Sequence, residues 1–378
     1  MSGRVGPLVF ERRALPSRKT MSTVRGGAVF LGLLLGAVVL LAGGYPVIGS
    51  YKTMVSNAFG SGDALAEMFV SATPLVLTGL AVALAARMLL WNIGAEGQLY
   101  MGATFASACA FTFPGWPRPL LLALMVAAGL FGGAIWALGP GLLRARLSVN
   151  EIVTTLMLNF VAIIWVDYLV HGRWRDPTIS FPLSKEFTTS ATLPSLFGTR
   201  LHVGLFFALA AAFIVWLMLR QTRWGYEIRV IGESPSAARY AGIPTQRNIV
   251  LVMLFSGALA GLAGMGEVSG IVHHIQPDIS PNYGYTGIIV ATLGRFSAGG
   301  VVVAAVLFGA LQVGGYALQT ADVPVPLAIV QILQGAILFI AVGAEVLARF
   351  RIGYRRRPED LAAEEAAEER PAVGGVET

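Results

Sequence analysis

Apolar runs of about the length needed to cross a bilayer alternate along most of this chain with short polar segments rich in arginine. A helix rises 1.5 Å per residue, so roughly 20 apolar residues cross the hydrocarbon layer. On that measure spans are predicted over 28–49, 64–86, from the motif at 91–98 to 113, and over 120–143, 150–170, 203–219, 249–270, 301–319 and 327–348. Residues 285–293 are apolar but too few to cross untilted, which predicts a short or re-entrant helix. Pro74 lies inside the second run, a position tolerated in membrane helices and often kinked.

Composition turns this pattern into a fold class. The chain is 55% hydrophobic and 13% charged over 378 residues, with mean hydropathy +0.69. A soluble domain carries roughly 25% charged residues. The expectation is an all-α polytopic membrane protein of 8–10 transmembrane helices, the lower count applying if 88–98 and 276–296 are re-entrant. A basic segment 1–27, a membrane bundle 28–350 and a charged tail 351–378 divide the chain. The apolar run after the basic segment exceeds a signal-peptide core and no small-residue cleavage site follows, so a retained first span is expected.

Charge sets the expected orientation. With the N-terminus inside, alternation of ten segments puts Arg87, Arg144, Arg146, the arginines of 220–247, Arg295, Arg349, Arg351 and Arg355 to Arg357 on one side. Only Lys52, Arg118, Arg173, Arg175, Lys185 and Arg200 remain outside. Basic residues favour the cytoplasmic side, which predicts both termini in the cytoplasm, an external loop at 171–202 and a cytoplasmic loop at 220–247. The pI near 9.7 then reflects membrane anchors rather than affinity for nucleic acid. The acidic, Ala-rich tail through Glu359, Glu364, Glu365, Glu368 and Glu369 reads as solvated.

Candidate chemistry is confined to a few polar positions. In Trp91-Asn92-Ile93-Gly94-Ala95-Glu96-Gly97-Gln98, Asn92 and Glu96 are four apart and would share a helix face. A carboxyl at membrane depth faces a bundle interior or a water-filled cavity, unless it only favours a helix start at the surface. Glu151, Thr155 and Asn159 form a polar stripe with the same spacing, open to interhelical hydrogen bonding or to a solute pathway. Gln331 and Gln334 admit the same two readings, and Glu267 either lines a pathway or sits at an interface. The adjacent His273 and His274 are poorly placed to chelate a metal from one helix face. Cys109 is the single cysteine, which excludes an internal disulfide. No GxSxG elbow and no Walker A sequence is present, so no catalytic residue, metal or cofactor is assigned, and ATP would be bound by another chain.

The loop from Arg223 to Pro244 contains G-E-S-P-S-A-A-R-Y-A-G-I-P. Ser234 can cap a helix starting at Pro235, with Gly242 and Pro244 ending it. A short capped helix between spans suits docking to a soluble partner or lying at the interface.

These stretches together resemble the permease subunits of ABC importers in the branched-chain amino acid and ribose permease superfamily. The 232–243 segment is similar to the part that engages the ATPase, which implies coupling roles for Glu233, Ser234, Pro235, Ala238, Arg239 and Gly242. W-N-I-G-A-E-G-Q-L-Y-M-G-A (91–103) and N-E-I-V-T-T-L-M-L-N (150–159) resemble the nucleoside-type branch served by basic-membrane-protein-like binding lipoproteins, particularly its longer permease. The resemblance runs from about residue 60 to 350. It implies an inner-membrane importer of nucleosides, with simple sugars as the alternative and an ion-coupled carrier as a more distant one. Its implied partners are a cytosolic ABC ATPase that uses the ATP, a second related permease forming a heterodimer, and an extracytoplasmic binding lipoprotein. Asn92, Glu96, Gln98, Glu151, Thr155 and Asn159 become candidates for contact with the solute.

Overall fold

The computed structural model describes residues 3–5, 8–12, 18–321, 323–348 and 350–354. Thirteen helices follow in order: α1 (Arg18–Ala42), α2 (Val47–Phe59), α3 (Gly62–Ala86), α4 (Ala95–Thr112), α5 (Arg118–Leu147), α6 (Glu151–His171), α7 (Gly204–Gln221), α8 (Arg223–Glu233), α9 (Pro235–Tyr240), α10 (Thr245–Glu267), α11 (Tyr283–Leu293), α12 (Ala298–Gln319) and α13 (Leu327–Ala348). A π-helical turn, Val268–Val272, prolongs α10. Six of these helices, among the described residues, are long and apolar enough to cross a membrane: α3, α5, α6, α7, α10 with its π turn, and α12. The protein is an all-α polytopic membrane protein. Among the described residues, Gly3–Val5 (β1), Leu8–Arg12 (β2) and Phe350–Tyr354 (β3) form a small antiparallel sheet.

Helix ends follow the local sequence. Ser61 caps α3 by accepting from the Ala64 N–H, and Asn150 caps α6 by accepting from the Ile152 N–H. Arg144 and Arg146 lie in the last turn of α5, where cations favour the helix dipole. The predicted single span over 28–49 is broken. Gly44 adopts φ +78° and Pro46 precedes a new helix, so the chain turns and α2 packs separately against α12. Lys52 and Asn57 give α2 too polar a pattern to announce itself in the sequence.

The core is built around α3. In its apolar window 94% of residues are buried, against 28% in α6 and α7, so α3 is the central helix and the latter two are peripheral. Around it pack α10, α11 and α12, while α4, α5 and α10 form a tight trio. That trio depends on small residues: a Cβ on Gly133 would collide with Gly257, and one on Gly261 with the Gly129 carbonyl. Close backbone approach of this kind replaces the hydrophobic drive that is absent between helices in lipid. Helices α1 and α13 pack against each other at the edge. Arg349, Arg355 to Arg357 and the acidic tail lie outside the described residues.

Candidate functional site

Four predicted residues converge where two short helices begin. The chain leaves α3 at Ala86, passes Leu89 in a left-handed conformation and enters α4 only at Ala95. Asn92 therefore does not share a helical face with Glu96, as its spacing had predicted. Instead it folds over the helix start and forms a reciprocal amide pair with Gln98: Asn92 Nδ2 donates to Gln98 Oε1 at 2.8 Å, and Gln98 Nε2 donates to Asn92 Oδ1 at 3.0 Å. Asn92 also donates to Ser256 Oγ at 2.7 Å and accepts from the Gly94 N–H. Ser256 in turn donates to the Ala81 carbonyl, so the node ties α3, α4 and α10 together.

The first N–H groups of a helix have no carbonyl partner inside it. In α4, Asn159 supplies one from α6: its Oδ1 accepts from the Gly97 N–H at 2.8 Å. Its Nδ2 donates to the Ile93 carbonyl at 2.9 Å and to the Tyr285 hydroxyl at 3.2 Å. Glu96 does the same for α11. Its Oε2 accepts from the Gly284 N–H at 2.6 Å, and the Ser280 hydroxyl and the Tyr285 N–H approach the same carboxylate. Asn282, at the α11 N-cap, has φ 67° and offers no side-chain cap. The helix start is therefore capped from α4, and only a glycine at 284 allows it, because a Cβ there would collide with the Glu96 backbone. Two helix N-termini thus meet around one buried carboxylate.

The rest of the stripe is also engaged with protein. Thr155 Oγ1 donates to the Glu151 carbonyl at 2.6 Å and its Cβ abuts Gly94. Glu151 pairs with Arg144 Nε at 3.2 Å and accepts from the Trp91 N–H at 3.3 Å. All six predicted pathway residues are buried, and in this arrangement each makes bonds to protein.

A second polar region lies toward the opposite end of α10. Glu267 is buried and lines a small pocket of about 10 Å³, lined also by Thr73 and Pro74 of α3 and by His202 and Phe207. His202, just before α7, is held neutral by burial and then by nearby His273, its pKa lowered to about 4. Its Nδ1 accepts from the Gly204 N–H. His273 and His274 take local partners, the Ser269 carbonyl and Gln276.

At the arginine-rich end, α9 begins at Pro235 with Ser234 Oγ accepting from the Ala237 N–H, and Gly242 at φ 73° closes it. Helix α8, which the sequence left without an element, precedes it. It is fixed to α10 by Trp224 Nε1 donating to Asn248 Oδ1 at 2.7 Å and by Asn248 Nδ2 donating to Glu227 at 2.8 Å. Gly232 lies directly against the Arg87 carbonyl at the end of α3.

Residues 64–342 match the family model described as branched-chain amino acid transport system / permease component. The chain belongs to that permease family. It is 37% identical to the glucose ABC transporter permease protein of Haloferax volcanii, over 89% of this chain and 91% of the other. It is 36% identical to the guanosine ABC transporter permease protein of Bacillus subtilis, over 86% of this chain and 94% of the other. It is 34% identical to the nucleoside ABC transporter permease protein of Lactococcus lactis, over 82% and 88% respectively.

Within this permease, α9 sorts the residues of the 233–242 segment by exposure. Glu233, Pro235 and Arg239 are exposed, whereas Ala238 is fully buried and anchors α9 to the bundle rather than facing outward. Tyr240 is 98% exposed, a large aromatic that the sequence reading passed over. Its signal was available: position 240 falls one residue beyond Arg239 on the face opposite the buried alanine. Ser256, Gly284 and Tyr285 were also passed over, since a serine, a glycine and a tyrosine in apolar runs carry no pattern of their own.

Proposed function

We propose that this permease is one half of the membrane channel of an ATP-driven ABC importer for nucleosides. The observation that carries the reading is near full-length similarity, at 34–36% identity, to two permeases named for nucleosides and guanosine. The Haloferax permease named for glucose, at 37%, supports a second reading as a sugar importer. The two solute classes share a neutral, hydroxylated ring.

Both termini and the α8–α9 segment lie in the cytoplasm of a cell bounded by this inner membrane. Supporting this, Arg229 and Arg295 lie within electrostatic reach of Arg87, and β1–β2 pair with β3 so that the two terminal segments meet. A cytosolic ATPase docks on the exposed face of α9 around Arg239 and Tyr240. Its closure is transmitted through Asn248 to α10 and through Gly232 to α3, the central helix. An extracytoplasmic binding lipoprotein delivers the solute, and a second, related permease completes the pathway as a heterodimer. The chain itself performs no reaction; ATP belongs to the partner.

The test is uptake by the whole complex in proteoliposomes, supplied with guanosine or glucose and ATP. Guanosine uptake dependent on ATP supports the nucleoside reading, and glucose uptake alone replaces it. Arg239→Glu is expected to abolish uptake while leaving this chain folded and ATP hydrolysis present but uncoupled. Uptake driven by an ion gradient without any ATPase would overturn the proposal.

A further inference from the structure

Two hollows on the face formed by α4, α5 and α6 meet at one side chain, Trp174. The first, about 530 Å³, is a furrow between the helices, walled by Phe105 and Ala108 of α4, Trp136 of α5, and Val161 and Trp165 of α6. It exists because α6 packs mainly on α4 and only lightly on α5. The Thr104 hydroxyl and the Trp136 indole within it are already spent on protein, donating to the Tyr100 carbonyl at 2.8 Å and the Leu158 carbonyl at 3.3 Å. What the furrow offers is therefore apolar surface. From Met101 in the furrow to Phe111 at the second hollow, α4 advances by ten residues. That is about 15 Å, the depth of one leaflet of a hydrocarbon layer about 30 Å thick.

The second hollow, about 380 Å³, opens at the end of the bundle that carries the 171–202 loop. Arg173, Arg175 and Lys185 line it with Glu186, a surplus of two positive charges, over a floor of aromatic rings. Phe111 meets Trp174 at 5.2 Å between centroids and Phe187 at 5.4 Å, both edge to face. Backbone contacts set the cations in place. Arg175 pairs with Ser184 across an antiparallel bridge, and the Ser184 and Phe187 N–H groups donate to the Ile275 and His273 carbonyls at 3.0 and 2.8 Å. The ion pairs among the described residues lie elsewhere, at Arg144–Glu151, Asp167–His171 and Glu67–Arg200. Nearby Asp176 is turned to the Thr178 N–H and hydroxyl, at 2.9 and 2.6 Å. Among the cations expected on this side, Arg118 is spent on the Thr192 carbonyl and Arg200 on Glu67, while three gather at one hollow.

We infer that the two hollows form one binding site for an anionic phospholipid, with its phosphate at Arg173, Arg175 and Lys185 and an acyl chain laid along the furrow between α4 and α6. The order of the parts decides the occupant. A soluble anion would use the cations and leave the furrow empty. A helix of a second permease would cover the furrow without using the cations. A molecule with a charged head and a long apolar tail, joined at the membrane surface, matches both, and basic clusters at that surface attract anionic lipids. Trp174 stands at the junction, the depth that aromatic rings favour. A zwitterionic lipid fits the furrow equally but brings its own cation against the arginines. On the sidedness proposed above the lipid belongs to the outer leaflet; the site itself depends neither on that sidedness nor on the solute.

The test measures retention of radiolabelled dioleoylphosphatidylglycerol and dioleoylphosphatidylcholine by the complete detergent-purified complex. Wild type is compared with Arg173→Gln, Arg175→Gln and Lys185→Gln combined, and with Ala108→Phe, which fills the furrow. Lipid held by the other chains is common to all samples and cancels. A surplus of two charges, at about fivefold each, predicts that wild type holds the anionic lipid about 25-fold more tightly than the zwitterionic one. The triple variant should lose that preference while staying monodisperse, since all three side chains are exposed. Ala108→Phe should weaken retention of both lipids. Should it fail to assemble, the triple variant carries the comparison, with added salt expected to lower the preference in wild type alone. Inorganic phosphate, which lacks the tail, should not displace the anionic lipid. Displacement by phosphate, with no effect of Ala108→Phe, would overturn the lipid and leave an anion pocket. A preference that survives the triple substitution, or equal retention of the two lipids by wild type as a furrow covered by the second permease would give, overturns the site.

Discussion

Asn159 offers the sharpest distinction between a residue that holds the pathway and one that touches the solute. Asn159→Ala removes three hydrogen bonds at once: to the Gly97 N–H, the Ile93 carbonyl and the Tyr285 hydroxyl. Within membrane proteins such side-chain bonds contribute about 0.6 kcal/mol on average and up to about 1.7 kcal/mol. Three of them amount to about 2–5 kcal/mol. The upper part of this range applies here, because the Gly97 N–H belongs to a helix start with no intrahelical carbonyl and sits where water does not reach. With about 2.1 cal/mol/K of unfolding entropy per residue, that loss lowers the unfolding midpoint of a 378-residue chain by about 3–6 °C.

The assay is the unfolding midpoint of detergent-purified protein, followed by tryptophan fluorescence, for wild type, Asn159→Ala, Asn159→Asp and the control Ile164→Ala. Ile164 lies on the same helix, 65% exposed, and its truncation is expected to change the midpoint little. Asn159→Asp keeps the acceptor for Gly97 but loses both donated bonds, so it should fall between wild type and alanine. Uptake in the complex should decline in step with the folded fraction. A midpoint for Asn159→Ala equal to wild type, together with abolished uptake, would refute the capping argument and make Asn159 a solute contact.

Two further predictions address the core and the pH response. Gly261→Val forces α10 away from α5 at the Gly129–Gly133 contact and is expected to cost about 1–3 kcal/mol, read as a lowered midpoint and lost monodispersity on size exclusion. Gly266→Ala on the same helix meets nothing within 4 Å, so it should be neutral or slightly stabilising. For His202 the folded pKa, about 4, lies below the ordinary value of 6.5, so the unfolded chain binds the proton more readily between those limits. Its contribution is complete above about pH 6.5 and falls as the pH drops toward 4, by at most about 3 kcal/mol. The midpoint of wild type should fall across that window more steeply than that of His202→Gln, and parallel curves would show that His202 is not buried as drawn.

What the sequence revealed follows from how each feature is encoded. Long spans such as α5 and α10 show themselves because twenty apolar residues outweigh any local exception. The capped helix at Pro235 was legible because serine, proline and a later glycine mark helix ends by their own conformational limits. Helices α2 and α8 escaped because each carries charge within a short length, and their existence depends on packing against α12 and α10. Polar residues of the motif were found by the cost of placing them in an apolar run. Their partners were not, because Gly284 and Ser256 lie 188 and 164 residues from the groups they bind. A pattern along the chain indicates that a polar side chain needs a partner; only the fold decides which one.

That division bears on Glu96 and Glu267, two carboxylates in apolar surroundings that the sequence cannot rank. The 91–98 motif draws attention because it is dense in polar groups, yet density is what a self-satisfying node requires. Asn92 needs Gln98, Asn159 needs Gly97, and Glu96 needs the start of α11. Glu267 stands nearly alone in its run, and the cation within electrostatic reach of it, Arg200, is 67 residues away in the chain. In a pathway that must release its cargo, a group already bonded to protein would have to break those bonds for each solute molecule, whereas an unpartnered one exchanges only a water. On this reasoning Glu96 holds two helix starts in register. Glu96→Gln should then lower stability and uptake together, because the carboxylate caps the start of α11. Lost uptake at an unchanged midpoint, measured by the same assays, would make Glu96 a solute contact instead.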